Sequence, residues 1–172
     1  LRSGGAVSDD RRFALGCFRG TDGPDGLEAL FGLPAGIRRL AGTTGSFTRA
    51  LQRHTGQPVA VRRLAEGWRD HRADRWPVPR VTRVWERRVR LQSAEARVEA
   101  LTEVVGPLTP RLHRAITGLA DAPLMEVLAR QPLCRRQRFE VSQQGRRITR
   151  VSVYRIHLAR VRVTEWFDID LR

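Results

Sequence analysis

Residues 161–167 read Val161-Arg162-Val163-Thr164-Glu165-Trp166-Phe167, and their polarity alternates as it does in a β-strand with one buried face. One side of this strand carries apolar side chains and a single carboxylate, namely Val161, Val163, Glu165 and Phe167. A carboxylate in a core-facing row is costly unless it is paired or hydrogen-bonded. Glu165 is therefore predicted either to be buried with a partner or to line a cavity.

A second, longer strand is predicted over residues 81–91, and it brings cations onto an apolar face. That face carries Val81, Arg83, Trp85, Arg87, Val89 and Leu91. A buried arginine needs an acid or an anionic ligand as its partner. Residues 96–105 are predicted to run back as a strand after a turn near residues 93–95, which makes an antiparallel hairpin.

Helices are predicted between the strands. Ser46 is expected to cap a helix of about two turns over residues 47–53, and Gly56 to end it. Thr109 is expected to cap a helix over residues 111–118 with Pro110 at its first position. Another helix is predicted to follow Asp121-Ala122-Pro123.

The remaining segments complete the predicted order of elements. They are a short element over residues 12–18, a helix over 25–33 that residues 34–36 break, a strand over 58–64, a loop over 69–79, and strands over 136–142 and 148–156. This order predicts an α+β fold, with an antiparallel β-sheet and helices packed over it. Residues 1–12 are expected to form a flexible tail, and residues 13–172 a single domain.

Composition narrows the classes of function. The chain has 172 residues, 41% of them hydrophobic, and a formal net charge of +14, and all 32 of its Lys or Arg residues are Arg. The arginines are scattered along the chain, so nucleic acid is not expected as a partner, and the charge favours small anionic ligands. The longest apolar runs fall well short of a membrane span, so we expect no membrane and a cytoplasmic location.

Cysteine and histidine give little indication of a metal or nucleophilic site. Cys17 and Cys134 lie far apart without metal-ligand spacing, which favours two ordinary reduced thiols. The four histidines stand in separate contexts without the spacing of ligands or of a catalytic triad. No metal site is therefore predicted.

Five segments in one order give the chain a resemblance to a known family. They are Gly45-Ser46-Phe47-Thr48-Arg49-Ala50-Leu51 with the strand after it, Trp85-Glu86-Arg87-Arg88-Val89-Arg90-Leu91, Asp121-Ala122-Pro123-Leu124, Val153-Tyr154-Arg155-Ile156, and Val163-Thr164-Glu165-Trp166-Phe167. Over about residues 43–170 the sequence resembles the chorismate pyruvate-lyases, or 4-hydroxybenzoate synthases. Each segment is weakly specific alone, and the five in register indicate the fold more strongly than the activity.

The resemblance implies a fold, a reaction and a set of site residues. The family's antiparallel sheet and helices enclose a ligand cavity, and its members eliminate pyruvate from chorismate without a cofactor or metal. By this resemblance Arg87 binds a carboxylate of the ligand and Glu165 lies at the ether end, while Phe47 and Leu124 offer backbone N–H groups. A desolvated Glu165 with a raised pKa is our hypothesis for the general acid.

Departures from the family pattern leave the substrate open. Met125 stands where a family glycine often follows the leucine, and the closing hairpin is about two residues shorter here. Arg83 and Trp85 are also expected on the cavity face, so both join Met125 as predicted substrate-binding residues. A structural ion pair of Glu165 with Arg87 or Arg83 is the alternative to a chemical role.

Three functions follow from these observations. The first is a chorismate lyase-like enzyme that acts on a small anionic ring acid, as a monomer or homodimer. The second is a repurposed enzyme of natural-product biosynthesis (secondary metabolism) on the same fold. The third is a ligand-sensing domain, which the family's regulators pair with a winged-helix domain; about 45 residues before the matched region are too few for one.

Overall fold

A computed structural model describes residues 30–71, 82–131 and 133–171 of the chain. Four helices and six strands occur in these ranges. The helices are α1 (Ala35–Ala41), α2 (Phe47–Thr55), α3 (Pro110–Thr117) and α4 (Leu124–Ala129). The strands are β1 (Ala60–His71), β2 (Thr82–Gln92), β3 (Arg97–Val105), β4 (Cys134–Gln144), β5 (Arg147–Ile156) and β6 (Ala159–Asp168).

All six strands form one antiparallel sheet in the order β1-β2-β3-β6-β5-β4. Two three-stranded meanders, β1-β2-β3 and β4-β5-β6, build it, and β3 meets β6 at the centre, so the strand with Glu165 lies in the interior of the sheet. The described residues form a single α+β domain, which confirms the predicted fold class. No helix in the described ranges is long and apolar enough to cross a membrane.

Two helical pairs cover one face of the sheet, each over its own hydrophobic cluster. The first helical pair, α1 and α2, buries residues such as Leu40 and Leu51 against a cluster that includes Phe167. The second helical pair, α3 and α4, buries residues such as Ile116 and Leu128 against a cluster that includes Trp85. The middle of the sheet face lies between these two clusters.

The predicted caps explain where two of the helices begin. The Ser46 hydroxyl accepts a hydrogen bond from the Arg49 N–H at 3.4 Å, and Gly56 ends α2 with a φ of 67°. The Thr109 hydroxyl accepts from the Leu112 N–H at 3.2 Å, and Pro110 is the first residue of α3. Both helix starts, and the hairpin of β2 and β3, are confirmed as predicted.

Other boundaries differ from the sequence predictions. Helix α1 was not predicted, and residues 30–33 form a turn in which the Leu33 N–H donates to the Leu30 carbonyl at 3.0 Å. Strand β1 continues through Gly67 to His71, so the predicted start of the following loop at Arg69 is wrong by at least three residues. Strand β4 is four residues longer than predicted over 136–142. The predictions for residues 1–29, tail included, and for 72–79 lie outside the described residues.

Candidate functional site

A cavity lies between the middle of the sheet and the two helical pairs. Its volume is about 50 Å³. That is room for a few water molecules, since one ordered water needs roughly 10–15 Å³ of such space. A ring-sized molecule therefore fits only when the segments that cover the cavity move outward. The lining residues are Gly45, Phe47, Thr48, Val61, Arg87, Val89, Leu91, Ala100, Thr102, Pro123, Leu124, Met125, Arg150, Ser152, Tyr154, Val163 and Glu165.

One wall of the cavity carries a buried ion pair between Arg150 and Glu165. The two residues lie directly opposite each other on β5 and β6, so their side chains share a face. Arg150 is 2% exposed and Glu165 8% exposed, and Nη1 of the guanidinium donates to Oε2 of the carboxylate. The partner predicted for Glu165 on sequence grounds is therefore present, but it is neither Arg87 nor Arg83.

Backbone carbonyls of the first helical pair hold the rest of the Arg150 guanidinium. Its Nε donates to the Ala41 carbonyl at 2.8 Å and its Nη2 to the Thr43 carbonyl at 2.6 Å. Its central carbon lies 4.4 Å from the centre of the Phe47 ring and 5.1 Å from that of Phe139. All three nitrogens thus have partners, and the charged plane is fixed in one orientation.

Burial raises the pKa of Glu165, and the neighbouring Arg150 guanidinium opposes that rise. Desolvation is the larger influence because the carboxyl group lies deep in the sheet face. Glu165 therefore holds a proton more readily than a surface glutamate does. A carboxyl group of this kind is suited to donate a proton inside the cavity.

Arg87 forms the opposite wall and is bound in a different way. It is 2% exposed, and its Nη2 donates to the Ala120 carbonyl and, at 3.2 Å, to the Ala122 carbonyl in the turn between α3 and α4. Its Nε lies 3.8 Å from Oε2 of Glu66 and has no hydrogen-bond partner among the described residues. Burial lowers the pKa of Arg87, and the nearby Glu66 carboxylate opposes that change. The Nε is thus a buried donor that has an ion-pair neighbour but no hydrogen bond among the described residues.

Strand β5 adds neutral polar groups next to Arg150. Ser152 and Tyr154 are 4% and 3% exposed and follow Arg150 at every second position, so all three face the cavity. Burial, and then the nearby Glu165, raises the pKa of the Tyr154 hydroxyl to about 12, against opposing effects of Arg136, Ser152 and Arg150. Tyr154 is thus a protonated phenol near neutral pH.

Five of the seven predicted site residues come together in this cavity. They are Phe47, Arg87, Leu124, Met125 and Glu165. Phe47 is the first residue of α2 and Leu124 the first of α4, so both helices begin at the cavity.

Arg83 and Trp85 were also expected on the cavity face, but neither residue lines this cavity. Arg83 is exposed, and its guanidinium carbon lies 5.3 Å from the centre of the Trp68 ring. Trp85 is buried in the cluster beneath the second helical pair. Alternation assigns each residue to a face of β2, but only the part of β2 from Arg87 to Leu91 reaches the cavity.

Arg150 is the site residue that the sequence reasoning missed. The signal was present in the closing hairpin, where His157 and Leu158 form a two-residue turn between Ile156 and Ala159. Counting back from that turn puts Arg150 opposite Glu165. The predicted strands over 148–156 and 161–167 left a connection that was too long to fix this register.

Two comparisons with known proteins found no match. No protein-family model matches the chain, and no curated protein matches it in sequence. The described residues include no group of three or more His, Cys, Asp and Glu side chains placed to hold a metal ion.

Proposed function

We propose that this chain is a chorismate lyase-like enzyme, which eliminates pyruvate from chorismate to give 4-hydroxybenzoate in a chorismate lyase-like fold. The observation that carries the proposal is Arg87, a buried residue of the cavity lining whose Nε has no hydrogen-bond partner among the described residues. A ligand carboxylate supplies the acceptor that this donor lacks. The Arg150 guanidinium, the carboxyl group of Glu165 with its raised pKa, and the first residues of α2 line the same cavity.

The reaction needs one proton donor and no cofactor. The carbon–oxygen bond between the ring and the enolpyruvyl group breaks, and the neighbouring ring carbon loses its proton as the ring becomes aromatic. The departing enolate takes up a proton at its methylene carbon and leaves as pyruvate. Glu165 donates that proton, and the proton lost by the ring restores it, so the reaction balances. Arg87 holds the ring carboxylate during these steps.

Access to the cavity is part of the proposal. Chorismate is larger than the space of about 50 Å³, so the turn between α3 and α4 moves outward for it to enter. The ligand carboxylate then competes with the Ala120 and Ala122 carbonyls for Arg87. This exchange keeps the guanidinium partnered before and after binding.

The test is to incubate the purified protein with chorismate and to quantify 4-hydroxybenzoate and pyruvate by chromatography. Equal amounts of both products are expected, and Arg87→Met is expected to abolish them. Arg88→Met is the matched control, because Arg88 is the next residue of β2 and is exposed on the opposite face. No product from folded protein, or equal product from Arg87→Met, overturns the proposal.

Met125 favours a second candidate, an enzyme of natural-product biosynthesis that uses the cavity for another small molecule. Met125 lines the cavity at the start of α4. Met125 is the chain's one methionine, so a methyl-labelled sample gives a direct probe of occupancy. A shift of this methyl signal by another ring acid, with none by chorismate, favours the second candidate; a shift without turnover of any acid indicates a ligand-sensing domain.

A further inference from the structure

Arg150 and Arg87 are both buried on the same sheet face, but they differ in what they have left to offer a ligand. Each nitrogen of the Arg150 guanidinium already has a partner, whereas Nε of Arg87 has no hydrogen-bond partner among the described residues. A ligand that took Arg150 would have to displace Glu165 or a carbonyl of the first helical pair. The geometry therefore separates a ligand-binding arginine from one that acts on a neighbouring side chain.

We propose that Arg150 is a positioning residue, which fixes one carboxyl oxygen of Glu165 and so aims the other oxygen at the reacting ligand. The guanidinium is itself fixed, because the Ala41 and Thr43 carbonyls bind two of its nitrogens and the Phe47 ring lies against its plane. Only Nη1 is left for Glu165, and it bonds Oε2 alone. The proton of a neutral Glu165 is then carried on Oε1.

The same contact tunes how readily Glu165 holds its proton. Four residues with titratable or charged side chains line the cavity: Arg87, Arg150, Tyr154 and Glu165. The cavity-lining residues of α2, α4 and β3 are uncharged, and Arg136 on β4 acts on Tyr154 rather than on the carboxyl group. Arg150 is thus the cation that offsets the desolvation of Glu165.

This role rests on the proposed lyase reaction for its effect on turnover, but the positioning itself is measurable without turnover. The probe is the methyl signal of Met125, which lines the same cavity and is the one methionine of the sequence. Its chemical shift is followed against pH by NMR in protein labelled at the methionine methyl group, with Met125→Leu to assign the signal. A titration step that disappears in Glu165→Gln belongs to Glu165.

Arg150→Gln is expected to move the midpoint of that step upward by at least about one pH unit, the usual effect of losing an adjacent opposite charge. Arg150→Lys keeps the charge and is expected to leave the midpoint close to the wild-type value. Arg136→Gln is the matched control, since it removes another buried arginine of this face, one that donates to the Thr44 carbonyl. Arg136→Gln is expected to move the midpoint of the Glu165 titration step much less than Arg150→Gln does.

An unchanged midpoint in folded Arg150→Gln overturns the proposal and reduces Arg150 to a structural tie. If circular dichroism shows that Arg150→Gln does not fold, the wild-type protein carries the test through the Arg150 Nε–H signal. That signal is expected to titrate at the midpoint of Met125 and to lose its step in Glu165→Gln; a signal that does not respond also overturns the proposal. Both outcomes hold whether or not chorismate is the substrate.

Discussion

Arg150 and Glu165 are directly opposed on β5 and β6, and their charged groups are in contact at the cavity wall. Because of this pair, the two arginines that line the cavity differ in their partners. Arg150 is committed to Glu165 and to the first helical pair, while Arg87 is bound to the second helical pair and keeps a buried donor without a hydrogen-bond partner among the described residues. The cavity lining thus combines an ion-paired carboxyl group with a second buried guanidinium.

Glu165→Gln tests the proton donor. Gln keeps the shape of Glu and accepts the Arg150 bond, but it has no acidic proton, so kcat with chorismate is expected to fall about 100-fold or more with little change in KM. In the wild type the raised pKa of Glu165 determines the direction of the pH dependence. The carboxyl group is fully protonated below the usual Glu pKa of 4.5, and it loses its proton as pH rises through the raised value. The rate is therefore expected to fall on the alkaline side. Unchanged turnover in Glu165→Gln contradicts the role.

Tyr154 gives a pH dependence of stability that does not depend on any activity. Its pKa is raised by burial to about 12 in the folded chain, from an ordinary value of 10.0. The protonated phenol therefore contributes stability that is fully present below about pH 10 and is lost as pH rises towards 12, a loss of roughly 2–3 kcal/mol in all.

Tyr154 is the one tyrosine of the sequence, so phenolate absorbance in the ultraviolet reports its ionisation without interference from another tyrosine. Denaturant unfolding at several alkaline pH values is expected to show the loss of stability in the wild type, with a much smaller one in Tyr154→Phe. A phenolate signal that appears near pH 10 in the folded protein contradicts the burial of this side chain.

Met125 is expected to limit the size of the ligand. Met125→Ala removes a flexible side chain from the cavity wall, which enlarges the space and costs about 1–2 kcal/mol of stability because the residue is only half-buried. Met125→Leu keeps most of the volume and is the matched control. Binding of ring acids with a bulkier substituent, measured by calorimetry, is expected to improve in Met125→Ala alone; equal affinities in both variants contradict this role.

The sequence predicted the parts of the fold that local chemistry determines. Ser46 and Thr109 are caps whose hydroxyls satisfy free backbone N–H groups, and each was identified from its position before an apolar helical face. Glu165 was identified because a carboxylate interrupts an apolar row. These signals need only a few neighbouring residues, and the structure confirms the helix starts and the burial of Glu165.

The parts that the sequence did not predict depend on long-range position. Arg150 lies in a strand whose alternation is clear, but its partner follows only from the length of the hairpin turn. Arg83 shares the parity of Arg87 on β2 and still lies outside the cavity, because alternation does not tell how far the helical pairs extend along a strand. Helix α1 packs through Ile37 and Leu40, a pattern that is too short to separate from the surrounding turn residues.

The carbonyl contacts of Arg87 and Arg150 predict which helical pair each arginine stabilises. Arg87 binds the Ala120 and Ala122 carbonyls, and Ala120 has a φ of 44°, a conformation that an alanine holds only when neighbouring contacts maintain it. Losing a hydrogen bond from a charged donor costs about 2 kcal/mol of local stability, or roughly a 30-fold increase in hydrogen exchange there. Arg87→Met is therefore expected to speed exchange of the Ala122 N–H, which is bonded to the Leu119 carbonyl.

Arg150→Gln is the reciprocal variant, because Arg150 binds the carbonyls of Ala41 and Thr43 at the other helical pair. It is expected to speed exchange of the Thr43 N–H, which is bonded to the Leu40 carbonyl, and to leave Ala122 little changed. Native-state exchange followed by NMR gives both amides in one experiment on each variant. Faster exchange at both amides in either variant contradicts the separate control of the two helical pairs, and with it an entry route that opens the second pair alone.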